Sequence, residues 1–178
     1  QFPNQHWQWS FFENAGGAFV PNSVINRMSS YMSETQVQPG YPNSVSMDAA
    51  KRMNHGHQLM AEFIGADRNE VTISASTSIN IYVLAQALRG LWQAGDEIIV
   101  STLNHEANSG PWRRLEEFGI KIVEWPCSLD SPSLDVNELD QLLSDKTRLV
   151  AFPHVSNITG DINDVKAITA RVHEAEAL

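Results

Sequence analysis

The order of apolar and polar residues divides the chain into segments of two periods. Val24, Ile25, Met28, Tyr31 and Met32 recur at three and four residues, which predicts a first helix capped by Asn22 or Ser23. A polar stretch with Pro39-Gly40 and Pro42 interrupts it. A longer helix is predicted over 46–64, with Met53, Met60, Phe63 and Ile64 on its apolar side. Beyond Gly65 the rhythm becomes strand, turn, helix. Strands are predicted at 71–74, 98–100, 120–123 and 149–152. Between and after them come helices at 79–92, at 111–118 ending on Gly119, at 136–143 capped by Asp135, and at 165–177. A loop runs through Pro126 and Pro132.

Continuously apolar strands separated by helices predict an α/β fold: three layers, α/β/α, around a mostly parallel sheet. The expected division is an N-terminal arm with the first helix over 1–45, then an α/β domain over 46–178. That domain is expected to be incomplete, because the chain stops within a predicted helix that has neither cap nor following strand.

Composition narrows the classes of partner. The formal charge of -9 argues against nucleic acid, whose phosphates need clustered Lys and Arg; the close pair Arg113-Arg114 fits a solvated helix face. No apolar run of about 18 residues offers a membrane span. The segment from Gln1 to Trp7 lacks the basic and apolar halves of a signal peptide, and Cys127 has no second cysteine to pair with. Both favour a cytoplasmic location. Asn157-Ile158-Thr159 matches a glycosylation pattern that has no meaning without secretion.

Ligands of open α/β sheets gather beyond the carboxyl ends of the strands, so the candidate chemistry lies in three connections. In Ser74-Ala75-Ser76-Thr77-Ser78-Ile79-Asn80, small residues and a helix start offer N–H groups and hydroxyls to an anion; the plain alternative is an N-cap. In the segment from Ser101 to Trp112, His105 is placed to lie against a planar ligand or move a proton, or else is a surface loop histidine. His105-Glu106 does not begin a zinc motif, since Ser109 stands where the second histidine is needed. In Pro153-His154-Val155-Ser156-Asn157-Ile158-Thr159-Gly160, the Asn157 amide offers a donor and an acceptor to a ligand, or forms an Asx-turn that ends the strand.

Together these segments resemble the class-V aminotransferase and cysteine desulfurase group of fold-type-I enzymes that use pyridoxal phosphate (PLP). Phe12-Glu13-Asn14-Ala15-Gly16-Gly17, the Ser-Ala-Ser-Thr-Ser-Ile-Asn turn, Asn-His-Glu-Ala-Asn before Pro111-Trp112, and His-Val-Ser-Asn-Ile-Thr-Gly stand in that family's order. The resemblance implies that Ala75 and Ser76 hold the cofactor phosphate and that His105 stacks on the pyridine ring. It implies that Asn157 bonds the ring's phenolic oxygen, and that residues 14–17 lie near the active site. It also implies an amino-acid substrate and a homodimer. Ser74, Thr77 and Asn104 depart from the commoner desulfurase pattern, which carries glycine, glutamate and glutamate there. Aminotransferase, lyase and epimerase chemistry of the same class therefore stays open beside desulfurase chemistry.

The family's Schiff-base lysine and ring-nitrogen aspartate match nothing in this chain, so no catalytic residue is assigned and the piece alone is expected to be inactive. Its four lysines, Lys51, Lys121, Lys146 and Lys166, read as solvated charges. Cys127 has no basic neighbour to favour its thiolate. His55 and His57 point to different faces of a helix and make no metal pair. Trp7 and Trp9 alternate as an extended arm would. Two other readings remain: a nucleotide-binding α/β domain, though Gly16-Gly17 lacks the third glycine of that fingerprint, and a non-catalytic binding or dimerisation module.

Overall fold

The computed structural model describes residues 2, 10–127 and 133–178; Trp7, Trp9 and Pro132 lie outside them. The chain divides into two compact units, Gln1–Ile73 and Ser74–Leu178. The first holds helices α1 (Asn22–Glu34) and α2 (Ser44–Ile64), then a 3-10 turn, Arg68–Glu70. Pro21 stands at the N-cap of α1, with Asn22 already helical, because proline fixes the extended φ that a cap position requires. Asn43 caps α2 by accepting from the Ser46 N–H, and Gly65 ends it in the left-handed region. Asp67 and Glu70 bracket the 3-10 turn in a reciprocal capping box.

The second unit carries α3 (Thr77–Arg89), β1 (Glu97–Ser101), α4 (Glu106–Arg113), β2 (Lys121–Trp125), α5 (Val136–Leu142), β3 (Thr147–Ala151) and α6 (Val165–Glu174). The strands form a parallel sheet in the order β2-β1-β3. All five residues of β1 are buried, as a central strand covered on both faces requires. Its side chains alternate between two cores. Ile99 joins Trp125, Leu139, Val150, Ile168 and Val172 beneath α5 and α6. Ile98 and Val100 join Ala85, Trp112, Leu115 and Leu149 beneath α3 and α4. Three layers result, as the apolar rhythm predicts.

Three details differ from expectation. Residues 71–74 form no strand: Val71 is extended, yet no neighbouring strand offers it a ladder among the described residues. The helix after β1 begins at Glu106, with Pro111 inside it, and tightens to 3-10 geometry over Arg114–Phe118 before Gly119. Proline at 111 forfeits one hydrogen bond, but its φ suits the helix, so it does not mark the start. Finally, α6 stops at Glu174. Glu176 takes a positive φ of 55°, and Leu178 pairs with β3, its N–H donating to the Arg148 carbonyl and its carbonyl accepting from the Val150 N–H.

The amino edge of the sheet is fastened by charge. The buried Glu97 accepts from Lys121 Nζ and from Ser144 Oγ, both at 2.7 Å. These bonds, the lysine's first, hold its carboxyl below the ordinary carboxylate range. Asp96 pairs with Arg148 at 2.9 Å and caps the Gln93 N–H.

Candidate functional site

Helices α3 and α4 each lead back to the amino edge of the sheet, through 90–96 into β1 and through 114–120 into β2. They therefore run in the same direction, and they pack side by side. Their capped amino ends, Ser76 and His105, both lie toward the carboxyl edge of the strands.

At α3, Ser76 Oγ accepts from the Ile79 N–H at 3.3 Å and the Ser76 carbonyl accepts from Asn80 N. The N-cap alternative is thus realised. It leaves the N–H groups of Thr77 and Ser78, the first of the helix, directed out of its end. The turn is closed by Ser74 Oγ, which donates to Asn80 Oδ1 at 2.5 Å, and Ala75 and Ser76 are exposed.

At α4, His105 is the N-cap: its Nδ1 accepts from the Ala107 N–H at 3.0 Å. That bond assigns the ring proton to Nε2 and holds the imidazole across the helix start, with the residue exposed.

Asn157 lies at the tip of the connection after β3. An isolated antiparallel bridge, Val155 to Ile162, closes this loop, and Gly160 turns it with φ of 78°. The alternative of an Asx-turn at Asn157 is not what closes the loop: Ser156 Oγ accepts from the N–H groups of Ile158 and Thr159, both at 3.2 Å, the serine counterpart of that turn. The Asn157 amide is exposed and has no part in closing its own turn.

β1 and β3 are parallel neighbours, so the loops bearing His105 and Asn157 leave the same edge of the sheet. Two residues that the sequence reading left without a role join these loops. Asn104 Nδ2 donates to the Ala151 carbonyl at 2.7 Å, while Asn108 Nδ2 donates to Asn104 Oδ1 at 2.9 Å and reaches the Phe152 carbonyl at 3.4 Å. Asn163 does similar work deeper in the same loop, donating to the Pro153 carbonyl at 2.8 Å. The only sequence signal for these amides is their nearness to the strand ends.

Two cavities among the described residues lie away from these loops. One of about 340 Å³ sits at the opposite edge, against Asp96, Lys146 and Arg148. Another, of about 620 Å³, lies in the first unit against Lys51, His55 and Arg68. Cys127 is half-buried, its N–H donating to Thr102 Oγ1 at 3.1 Å.

The family described as aminotransferase class-V matches residues 10–178. The chain belongs to that family. An aminotransferase-like protein of Gibberella zeae is 38% identical over 98% of the chain and 44% of its own length. A cysteine desulfurase-like protein of Aspergillus flavus is 35% identical over 97% of the chain and 40% of its own length. Among solved structures, the apo form of a cysteine desulfurase from Thermococcus onnurineus superposes with a TM-score of 0.85 at 25% identity, covering 94% of the chain and 42% of that protein. The class-V chain thus spans less than half the length of these relatives, and its parallel sheet is part of a fold-type-I domain.

Proposed function

We propose that the whole protein is a PLP-dependent enzyme acting on an amino acid, with cysteine desulfurase-like chemistry. The observation that carries this reading is the pair of like-directed, capped helix ends, Ser76 and His105, on the sheet edge that also bears the Asn157 turn. A phosphate monoester fits the end of α3. The Thr77 and Ser78 N–H groups and the helix dipole face it, and the small side chain of Ala75 leaves its approach open. His105, held by its Nδ1 bond, presents a flat imidazole against which the pyridine ring would stack. Asn157, not needed by its own turn, would donate to the ring's phenolic oxygen.

When bound, the cofactor supplies an electron sink for the carbanion at an amino acid's α-carbon. This chain's residues then hold and orient: Ser76 fixes the helix end that meets the phosphate, His105 sets the ring plane, and Asn157 sets its edge. The four lysines are assigned no part in the chemistry. Lys121 is tied to Glu97, and Lys51, Lys146 and Lys166 are exposed on α2, before β3 and on α6. The reactive lysine and the nucleophilic thiol of a desulfurase are assigned to the remainder of the protein. The amino-acid substrate and a homodimeric assembly belong to the same reading.

The test uses the full-length protein. PLP uptake should give a visible absorbance band, and cysteine with a thiol reductant present should yield alanine and sulfide. His105→Ala should weaken or shift that band. Transfer of the amino group to a keto acid, without sulfide, would move the assignment to an aminotransferase. A protein that takes up no PLP would remove the reading altogether.

A further inference from the structure

We propose that Asn104 and Asn108 are positioning residues: an amide latch that sets the spacing between the loop bearing His105 and the loop bearing Asn157. The inference rests on the cofactor reading above, in which a ring is held between those loops. The ladder between β1 and β3 ends at Val100 and Ala151. Past that point β1 turns away, its Thr102 N–H going to Trp125 on the other neighbour. The carbonyls of Ala151 and Phe152 are then met by side chains rather than backbone, through Asn104 Nδ2 at 2.7 Å and Asn108 Nδ2 at 3.4 Å. The Asn108–Asn104 bond at 2.9 Å joins the two amides into one unit.

The latch flanks His105 on both sides, one residue before and three after. The hydrogen bonds of His105 itself stay within its own turn, from Ala107 N, Asn108 N and Ser109 Oγ. Its distance from the strand-end loop therefore depends on Asn104 and Asn108. On the other side, Asn163 closes the loop on itself through Pro153 and His154. Each loop is closed by hydrogen bonds of its own, and the half-buried amides couple the two. Both asparagines are needed with their orientation kept: the Oδ1 of Asn104 must accept while its Nδ2 donates, which aspartate cannot do.

The test compares Asn104→Ala and Asn104→Asp with Asp135→Ala in the full-length protein. Asp135 caps α5 by accepting from Asn137 N and lies outside the latch, so its loss gives a comparable drop in stability without touching the loops. For each variant the measurements are the urea midpoint, the PLP dissociation constant and the position of the absorbance band. Amide hydrogen exchange over 103–109 and 152–160 is measured in the cofactor-free form. The latch predicts that both Asn104 variants speed exchange in both loops together. It predicts PLP binding weakened about tenfold, the scale of one misplaced polar contact. Asp135→Ala should leave exchange and binding as they are. Asn104 variants that lower the midpoint yet leave PLP affinity within about twofold and exchange unchanged would show a purely structural pair and overturn the proposal. If even the unmodified protein takes up no PLP, the cofactor reading falls, and coupled exchange in the two loops alone decides the latch.

Discussion

Gly119 is the point at which one methyl group should do the most damage. It ends the 3-10 turn with φ of 83°, a region where an L-residue costs about 1–2 kcal/mol. A Cβ there would lie 2.7 Å from Ala94 Cβ and 3.2 Å from Ala94 Cα. The second contact is with backbone, so no rotamer change relieves it. Overpacking of this kind costs about 1–3 kcal/mol. Moving Gly119 aside would stretch its carbonyl's bond from Gly95 N, at 2.8 Å. Gly119→Ala should therefore destabilise the protein by about 2–5 kcal/mol, a large share of an ordinary domain's stability. Gly110→Ala is the control. Its Cβ would run into Glu106 Oε1, but that is the far end of a flexible side chain on the same helix. Glu106 can swing away, giving up its bond from Ser109 Oγ, while helix propensity returns about 1 kcal/mol. Its net effect should stay within about 1 kcal/mol. Urea denaturation of the full-length protein separates the two. Equal midpoints for both variants would refute the assignment of Gly119 to a sterically closed left-handed site.

Further outcomes follow from the same structure. Glu97 has its carboxyl held below its ordinary value of 4.5, first by Lys121 and then by Ser144, so its contribution is complete above that value and is lost as pH falls through the depressed folded value. The urea-midpoint gap between the native protein and Glu97→Gln should accordingly narrow in acid, and a gap that is flat with pH would contradict the ion pair. Asp135→Ala should cost about 1 kcal/mol through the α5 cap, read from the same denaturation curves. Glu176→Gly should gain about 1 kcal/mol, read from the same denaturation curves, by relieving the left-handed φ of 55°.

The sheet was legible from its central strand, since Ile98-Ile99-Val100 is apolar on both faces, whereas β2 carries the exposed Lys121 and Glu124. Residues 71–74 show the limit of that logic. An apolar, β-branched stretch becomes a strand only where another strand offers a ladder, and no local pattern reports that. The start of α4 was hidden because Pro111 is favoured at first helical positions, whereas here the cap is the imidazole of His105. Of the site, the helix end at Ser76 followed from small polar residues before an apolar period. The exchange of roles between Ser156 and Asn157 did not, since either side chain suits the turn. The bridge from Asn104 and Asn108 to β3 spans more than forty residues and depends on the register of two strands. That register exists only in the folded chain.

Each face of the sheet contains one fully enclosed indole, Trp112 on the α3–α4 side and Trp125 on the α5–α6 side. Neither Nε1 has a hydrogen-bond partner among the described residues. Rings enclosed in this way among apolar side chains should emit to the blue, and their emission should redden as unfolding exposes them. Leaving one of them at a time as the emitter would let the wetting of the two sides be timed independently during unfolding.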